Sequence, residues 1–170
     1  SVDLGFRLYS GNVKILLSVY YSYFNNLVSE VRGTFEGRNA LIKTNVGEAR
    51  IYGFDFSSEY NFINDYVFYV SLSYTKGDDV SSSGNLPEIP PLNGTAGLRF
   101  NAMQYGNFDF TSSLFAEQGD VAPGELKTPG YAIFNISFAS SYIDFTSVRI
   151  RFFAGVDNIF DKSYRNHLST

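Results

Sequence analysis

Val148-Arg149-Ile150-Arg151-Phe152-Phe153-Ala154-Gly155-Val156-Asp157-Asn158-Ile159-Phe160-Asp161-Lys162-Ser163-Tyr164-Arg165-Asn166-His167-Leu168-Ser169 runs to within one residue of the end, and its reading decides the fold. Up to Val156 it alternates. Val148, Ile150, Phe152, Ala154 and Val156 fall on one side, and Arg149, Arg151, Phe153 and Gly155 on the other. Successive side chains leave a strand in opposite directions, so a period of two means a strand with unlike faces; a helix would mix the two sets. Asp157-Asn158 then signals a turn, and a polar, aromatic tail follows.

The same alternation extends backwards through the chain. Strands are expected over Val2 to Tyr9, Val13 to Tyr23 (running on through Leu27-Val28), Leu41 to Phe62, Tyr66 to Thr75, Leu92 to Asn101, Phe108 to Glu117, Gly130 to Phe138 and Val148 to Val156. That is about eight strands and no helix, far from the roughly one-third helix of an average soluble domain. The connections alternate in length. Ser10 to Asn12, Asn61 to Asp65 and Met103 to Asn107 are short; Arg32 to Asn39, Lys76 to Pro91 and Gln118 to Pro129 are long. Outer-membrane barrels alternate short periplasmic turns with long extracellular loops in this way. Ala139 to Ser147 is longer than the rule favours, although Tyr142, Ile143 and Phe145 can extend the flanking strands.

Composition narrows the class. The 17 Phe and 13 Tyr make the chain 18% aromatic, while Cys and Trp are absent, which removes disulfide and thiolate-metal readings. No run of about 18 apolar residues offers a membrane-crossing helix. A net charge of −4 disfavours nucleic acid, which selects basic stripes. Asp3, Arg7, Lys14, Asp55, Glu59, Arg99, Asp109, Glu117, Arg149 and Arg151 all share the more polar side of their strands. Phe56, Phe68, Phe100, Phe110, Phe134 and Phe152 take the other, a poor surface in water but a suitable one in lipid, where a Lys or Arg costs about 2–4 kcal/mol at the midplane. Arg50 has the outward parity and is expected above the apolar band. A soluble two-sheet sandwich is the rival fold, and it would need protein cover on both faces of several strands.

The final strand with Gly155-Val156-Asp157-Asn158-Ile159-Phe160-Asp161-Lys162-Ser163-Tyr164 resembles the last-but-one strand and loop of TonB-dependent outer-membrane receptors. Asn45-Val46-Gly47-Glu48-Ala49-Arg50-Ile51-Tyr52-Gly53-Phe54-Asp55 is similar to another strand of that family, with Asp55 where Glu is usual. Asn85-Leu86-Pro87-Glu88-Ile89-Pro90-Pro91 and Thr128-Pro129-Gly130-Tyr131 resemble two of its strand entries, in the family's order. The resemblance implies an all-β, antiparallel transmembrane β-barrel wall of about eight strands from a larger barrel of about 22. Residues 1–170 would be the C-terminal part of one β-barrel domain, the final strand missing and the N-terminal plug and first strands lying upstream. It further implies the bacterial outer membrane, lipid around the wall, and a nutrient ligand such as a ferric siderophore, haem or cobalamin. The TonB complex would act through the plug. A passive porin or structural barrel is the alternative; no cofactor and no nucleic-acid partner is expected.

Asp55, Glu59, Arg99, Asp109, Arg149 and Arg151 are the candidate lumen groups, since buried charges facing a plug need partners or water. Arg99 and Asp109 are expected to pair diagonally across the Met103 to Asn107 turn. Asp55 with Glu59 would form an anionic spot, and Arg149 with Arg151 a cationic one. Tyr164, Arg165 and His167 are candidate ligand contacts in the last loop. His167 is the single histidine. A metal site needs several ligands, so a polar surface role is expected for it. Asp78-Asp79 reads as an exposed acidic loop. With no Gly-x-Ser-x-Gly elbow and one histidine, catalysis is not expected.

Overall fold

The computed structural model describes residues 1–63 and 65–169, without the side chains at 29–32, 39, 41, 44–46 and 63. Asn64, in the turn expected over Asn61 to Asp65, and Thr170, at the end of the last loop, lie outside the described residues. The described residues form strands only: β1 (Val2–Ser10), β2 (Val13–Phe35), β3 (Arg38–Ile63), β4 (Tyr66–Asp79), β5 (Gly84–Asn85), β6 (Asn93–Asn101), β7 (Gly106–Phe115), β8 (Tyr131–Ser140), β9 (Ile143–Phe145), β10 (Val148–Ile150) and β11 (Phe153–Val156). The main sheet runs β1-β2-β3-β4-β6-β7-β8-β11, with β5 added to β4, and every pair is antiparallel. Each long strand pairs with its neighbour in sequence, so the wall is an up-and-down meander. It is open, with β1 and β11 as its two edges.

Register separates the faces. Directly paired residues share a face, and one row crosses the sheet through Gly5, Ser18, Asp55, Ser73 and Asn93. The row beside it, on the opposite face, carries Leu17, Phe56, Leu72 and Gly94. Phe68, Phe100, Phe110 and Phe134 follow that apolar parity, and Arg99 and Asp109 the polar one. The apolar face ends, toward the short turns, in a ladder of rings. Tyr60, Phe62, Tyr66, Phe100, Phe108 and Phe138 succeed one another with centroids 4.6–6.5 Å apart. A second aromatic level, Tyr21 with Tyr52 and Phe54 with Tyr74, lies toward the long loops. From Phe62 to Tyr52 is about 34 Å along an extended strand; with the usual tilt of a membrane barrel this spans about 25 Å, the height of an apolar band. Beyond Tyr52 the same face turns charged, and Arg50 pairs with Asp78 at 2.7 Å. Arg50 therefore sits above the band, as its parity and position require.

Three expectations from sequence change. The polar stretch Arg32 to Asn39 is no loop: β2 and β3 continue to a two-residue turn at Glu36-Gly37. Both turn residues have positive φ, 51° and 77°, which a tight hairpin needs to follow the right-handed twist of its strands. The connection is short, and the strands themselves project. Second, the Val148 to Val156 strand is interrupted at Arg151-Phe152, so β9 and β10 form a small hairpin of their own below β8 and β11. Phe152 N–H donates to Ser140 Oγ and Arg151 Nε to the Ser140 carbonyl, both at 2.9 Å, which satisfies the groups that the break releases. Tyr142, Ile143 and Phe145 do not extend the flanking strands: β8 ends at Ser140, Tyr142 is in no strand, and Ile143 and Phe145 belong to the separate β9–β10 hairpin. Third, Arg99 and Asp109 are direct cross-strand partners, not diagonal ones.

Little of the chain is fully buried. Ala49 and Leu86 form the center of one small cluster, with Leu27, Ile51 and Ile89 packed against it. It lies where the loop after β4 folds back over the polar face, close to Gly77, whose missing Cβ leaves room for Ile89 and Leu86.

Candidate functional site

The polar face is organised by tyrosines laid across glycines. Tyr69 on β4 stands directly opposite Gly97 on β6. A Cβ at Gly97 would fall 2.2 Å from Tyr69 Cζ, so the ring occupies space that only glycine leaves. Reaching over β6, the Tyr69 hydroxyl donates to Asp109 Oδ1 at 2.6 Å and lies 2.8 Å from Thr111 Oγ1. Asp109 also accepts from Thr111 Oγ1 at 2.6 Å and from Arg99 Nε at 2.9 Å, and the Arg99 guanidinium sits 5.4 Å from the Tyr69 ring center. One strand pair away the device repeats. Tyr20 on β2 faces Gly53 on β3, and its hydroxyl is 2.6 Å from Thr75 Oγ1 on β4.

The expected anionic spot does not form as a unit. Asp55 and Glu59 share a face of β3 but are four residues apart, about 13 Å along the strand. Glu59 is paired with Lys14 Nζ at 2.8 Å, while Asp55 accepts from Ser73 Oγ at 2.7 Å. Asp55 lines a shallow groove of about 490 Å³ with Arg7, Ser18, Ser57, Ser71, Ser73 and Asn93 among its walls. Small hydroxyls on three neighbouring strands, with Arg7 and Asn93 beside them, make this an open hydrogen-bonding surface on the polar face. Arg149 and Arg151 lie elsewhere, on the β9–β10 hairpin at the short-turn end. Arg149 pairs with Asp144, and both guanidinium groups sit over the Tyr142 ring, at 5.3 and 5.4 Å. The six charges thus occupy four separate stations along the wall.

At the opposite end the long loops are tied together. Glu125, between β7 and β8, accepts from Ala122 N–H in its own loop at 3.0 Å and from Glu88 N–H in the loop after β4 at 2.9 Å. His167 joins from the last segment, its Nδ1 3.1 Å from Thr128 Oγ1 and its Nε2 3.2 Å from Glu125 Oε1. The latter contact is within ion-pair reach, but Nε2 has no hydrogen bond of good geometry. The His167 side chain is 2% exposed, so the surface role expected for it gives way to that of a buried tie. Gln118 Nε2 adds a 2.8 Å bond to the Ile89 carbonyl, and Lys76 pairs with Asp120 at 3.1 Å. Tyr164 stacks on Tyr131, which stacks on Phe115, both with centroids 4.6 Å apart. Arg165 beside it is exposed. Asp78 and Asp79 are not an exposed loop but the half-buried end of β4, Asp78 paired with Arg50 and Asp79 committed locally: Ser81 and Ser82 N–H donate to its Oδ1 at 2.9 and 3.0 Å. Burial pushes this carboxyl at the end of β4 up, but the Ser82 hydroxyl and the two backbone donors hold it below the ordinary aspartate value.

Sequence reasoning missed Tyr20, Tyr69, Thr111, Lys14 and Glu125. A signal existed for the tyrosines, since both fall on the polar parity in strands that face a glycine. Glu125 gave none, because its partners come from loops distant in sequence. Among the described residues no three His, Cys, Asp or Glu side chains are grouped so as to hold a metal ion.

Comparison with known proteins agrees with this geometry. The family model described as TonB dependent receptor-like, beta-barrel matches residues 1–159. Among solved structures, the copper transporter OprC superposes with a TM-score of 0.88 at 25% identity, over 98% of this chain and 26% of that one. The ferric enterobactin receptor PfeA from Pseudomonas aeruginosa gives 0.71 at 19% identity, over 94% of this chain and 25% of that one. The ferric-catecholate import receptor Fiu from E. coli K12 gives 0.62 at 15% identity, over 95% and 23% respectively. The chain therefore spans about a quarter of the length of each. No curated protein matches the sequence.

Proposed function

The chain belongs to the TonB-dependent receptor β-barrel family, a family of bacterial outer-membrane proteins, and from that premise we propose that it is the C-terminal wall of an active-transport receptor. The intact protein binds a scarce nutrient at the long-loop end and imports it with energy delivered by TonB through an N-terminal plug. The ligand class is a metal or metal chelate, with the ferric siderophore first; copper, the cargo named for OprC, haem and cobalamin are the other members. Residues 1–170 are then one part of a single barrel domain. The observation that carries the reading is the division of labour between the two ends of the polar face. Glu125 and His167 tie three loops into one preorganised rim, which is how a rigid scaffold presents binding groups, while the Asp55 groove below is left open for a docked plug.

Whole cells carrying the full-length receptor provide the test. Binding of a labelled ferric siderophore or copper salt at the surface is measured first, then accumulation with and without a proton-gradient uncoupler. Binding that persists while accumulation stops supports the proposal. Accumulation insensitive to the uncoupler would make the protein a passive channel.

A further inference from the structure

The β9–β10 hairpin is two-faced. Ile143 pairs with Ile150 and Phe145 with Val148, while Asp144 pairs with Arg149 on the reverse. Phe145 and Val148 are 60% and 58% exposed, and no other part of the described chain covers them. The orientation of the two faces is fixed by the aromatic contacts. Arg151 lies 5.0 Å from the Phe153 ring center, and Phe153 pairs with Ala139 on the polar face of β8. Tyr142, Arg149 and Arg151 therefore belong to the polar side, and Ile143, Phe145, Val148 and Ile150 to the lipid side. The lipid-facing row of β11, Val156 and Ala154, continues through Phe152 into Ile150 and Val148. The apolar wall thus does not end at the ring ladder in this sector.

We propose that the apolar face of this hairpin lies against the phospholipid leaflet on the periplasmic side of the membrane, as an interfacial foot of the barrel. Three observations converge. The face continues the lipid-facing surface without a charged residue. Its composition is branched aliphatic and aromatic, with cations and Tyr142 on the reverse, the arrangement of an interfacial element. The hairpin is also braced at its base and bounded by a break in pairing. Ser141 Oγ donates to the Met103 carbonyl at 3.0 Å and Ser141 N–H to the Tyr105 carbonyl at 3.1 Å, anchoring its base to the neighbouring turn. The pairing break at Arg151-Phe152 sits just below that anchor. A straight continuation would place Phe145 about 23 Å along the strand from Phe138, so reaching the leaflet requires the hairpin to bend outward at the break. Met103 and Tyr105, both strongly exposed, lie in that neighbouring turn.

The inference needs only the outer-membrane location and is independent of ligand and energy source. Single nitroxide labels are placed in the full-length receptor, its other cysteines removed, at Ile143→Cys, Phe145→Cys and Val148→Cys, with Leu98→Cys on the lipid face of the wall and Arg149→Cys on the reverse as references. The receptor is reconstituted in phospholipid vesicles, with assembly checked by heat-modifiable migration. Collision with dissolved oxygen is compared with collision with a water-soluble nickel chelate. Labels at 143, 145 and 148 shifted toward oxygen, between the Leu98 and Arg149 references, are the expected result. If all three are as open to the chelate as Arg149→Cys, the hairpin stands in water and the proposal is overturned. Three independent sites keep the test decisive if one variant fails to assemble.

Discussion

The Tyr69 ring lies flat across Gly97, and its hydroxyl reaches Asp109 on the strand beyond at 2.6 Å. A glycine in a strand interior ordinarily weakens it, for want of a side chain to pack. Here the neighbouring tyrosine covers the bare backbone and connects three strands at once. Gly97→Ala should therefore act by evicting the ring, whose far end can swing away. Its cost should approach that of Tyr69→Phe, about 1.5–3 kcal/mol for a hydrogen bond to a charged group. Urea unfolding of the reconstituted receptor measures both. A Gly97→Ala cost that adds fully to that of Tyr69→Phe in the double variant would show that the two do not share a mechanism.

Gly53 should be the less forgiving of the two positions. A Cβ there would meet the Tyr74 carbonyl oxygen at 2.0 Å as well as the Tyr20 hydroxyl. Backbone cannot swing away, so the β3–β4 pairing itself must shift. Gly53→Ala should lower the yield of heat-modifiable, membrane-assembled receptor where Gly97→Ala leaves it near normal. Equal yields would mean the strand relaxes more easily than its hydrogen bonding suggests.

Most of this wall was legible in sequence because period-two alternation needs only local information. The parity of Arg99 against Phe100, or of Asp55 against Phe56, fixes faces without knowledge of the partners. The failures arose where three-dimensional context overrides pattern. Arg32 to Asn39 looks like a loop because it is polar, yet a hairpin projecting into water has no need of an apolar face. The break at Arg151-Phe152 leaves the alternation intact and so cannot be seen in it. The site was only half readable for a related reason. Lumen charges could be assigned to a face, but Lys14 with Glu59 and Glu125 with His167 are pairings over 45 and 42 residues, set by register and loop folding.

The partners now on view separate Asp55 from Glu59. Lys14 neutralises Glu59, whereas Asp55 accepts from Ser73 alone among the contacts described and opens onto the groove. Asp55→Asn should thus reduce energised uptake more than Glu59→Gln, with surface binding of the ligand nearly unchanged in both. The readout is the ratio of accumulated to surface-bound ligand on whole cells. A larger defect for Glu59→Gln would move the plug contact to the short-turn side of the wall.

Glu125 should matter to the rim and not to the wall. Glu125→Ala leaves the Glu88 and Ala122 N–H groups and the His167 ring without their shared acceptor, and loops so released open more often. Ligand binding should fall several-fold, and externally added trypsin should cut faster after Lys127 in the same loop. The urea midpoint of the barrel should stay close to wild type. His167→Ala should reproduce the faster cleavage in weaker form, since Glu125 keeps its two backbone donors.

The two faces of the wall make the sharpest quantitative contrast. Leu98 lies on the apolar face between Phe68 and Phe110, its direct partners on either side. Arg placed there meets lipid one row inside the ring ladder, where the penalty is smaller than the about 2–4 kcal/mol of the midplane. Thr95 is three residues away on the same strand but on the opposite face, opposite Ser71 and Ser113. An Arg there can reach water and the hydroxyls around it, and lumen substitutions in such barrels tune selectivity more than stability. Folding titrations of Leu98→Arg and Thr95→Arg into phospholipid vesicles should therefore show Leu98→Arg as the costlier of the two. The order of the two variants is the critical result, because only a wall with lipid against Leu98 and polar cover against Thr95 produces it. A Thr95→Arg penalty equal to that of Leu98→Arg would mean that both faces are tightly covered, as in a soluble sandwich, and would contradict the register-based assignment of inside and outside.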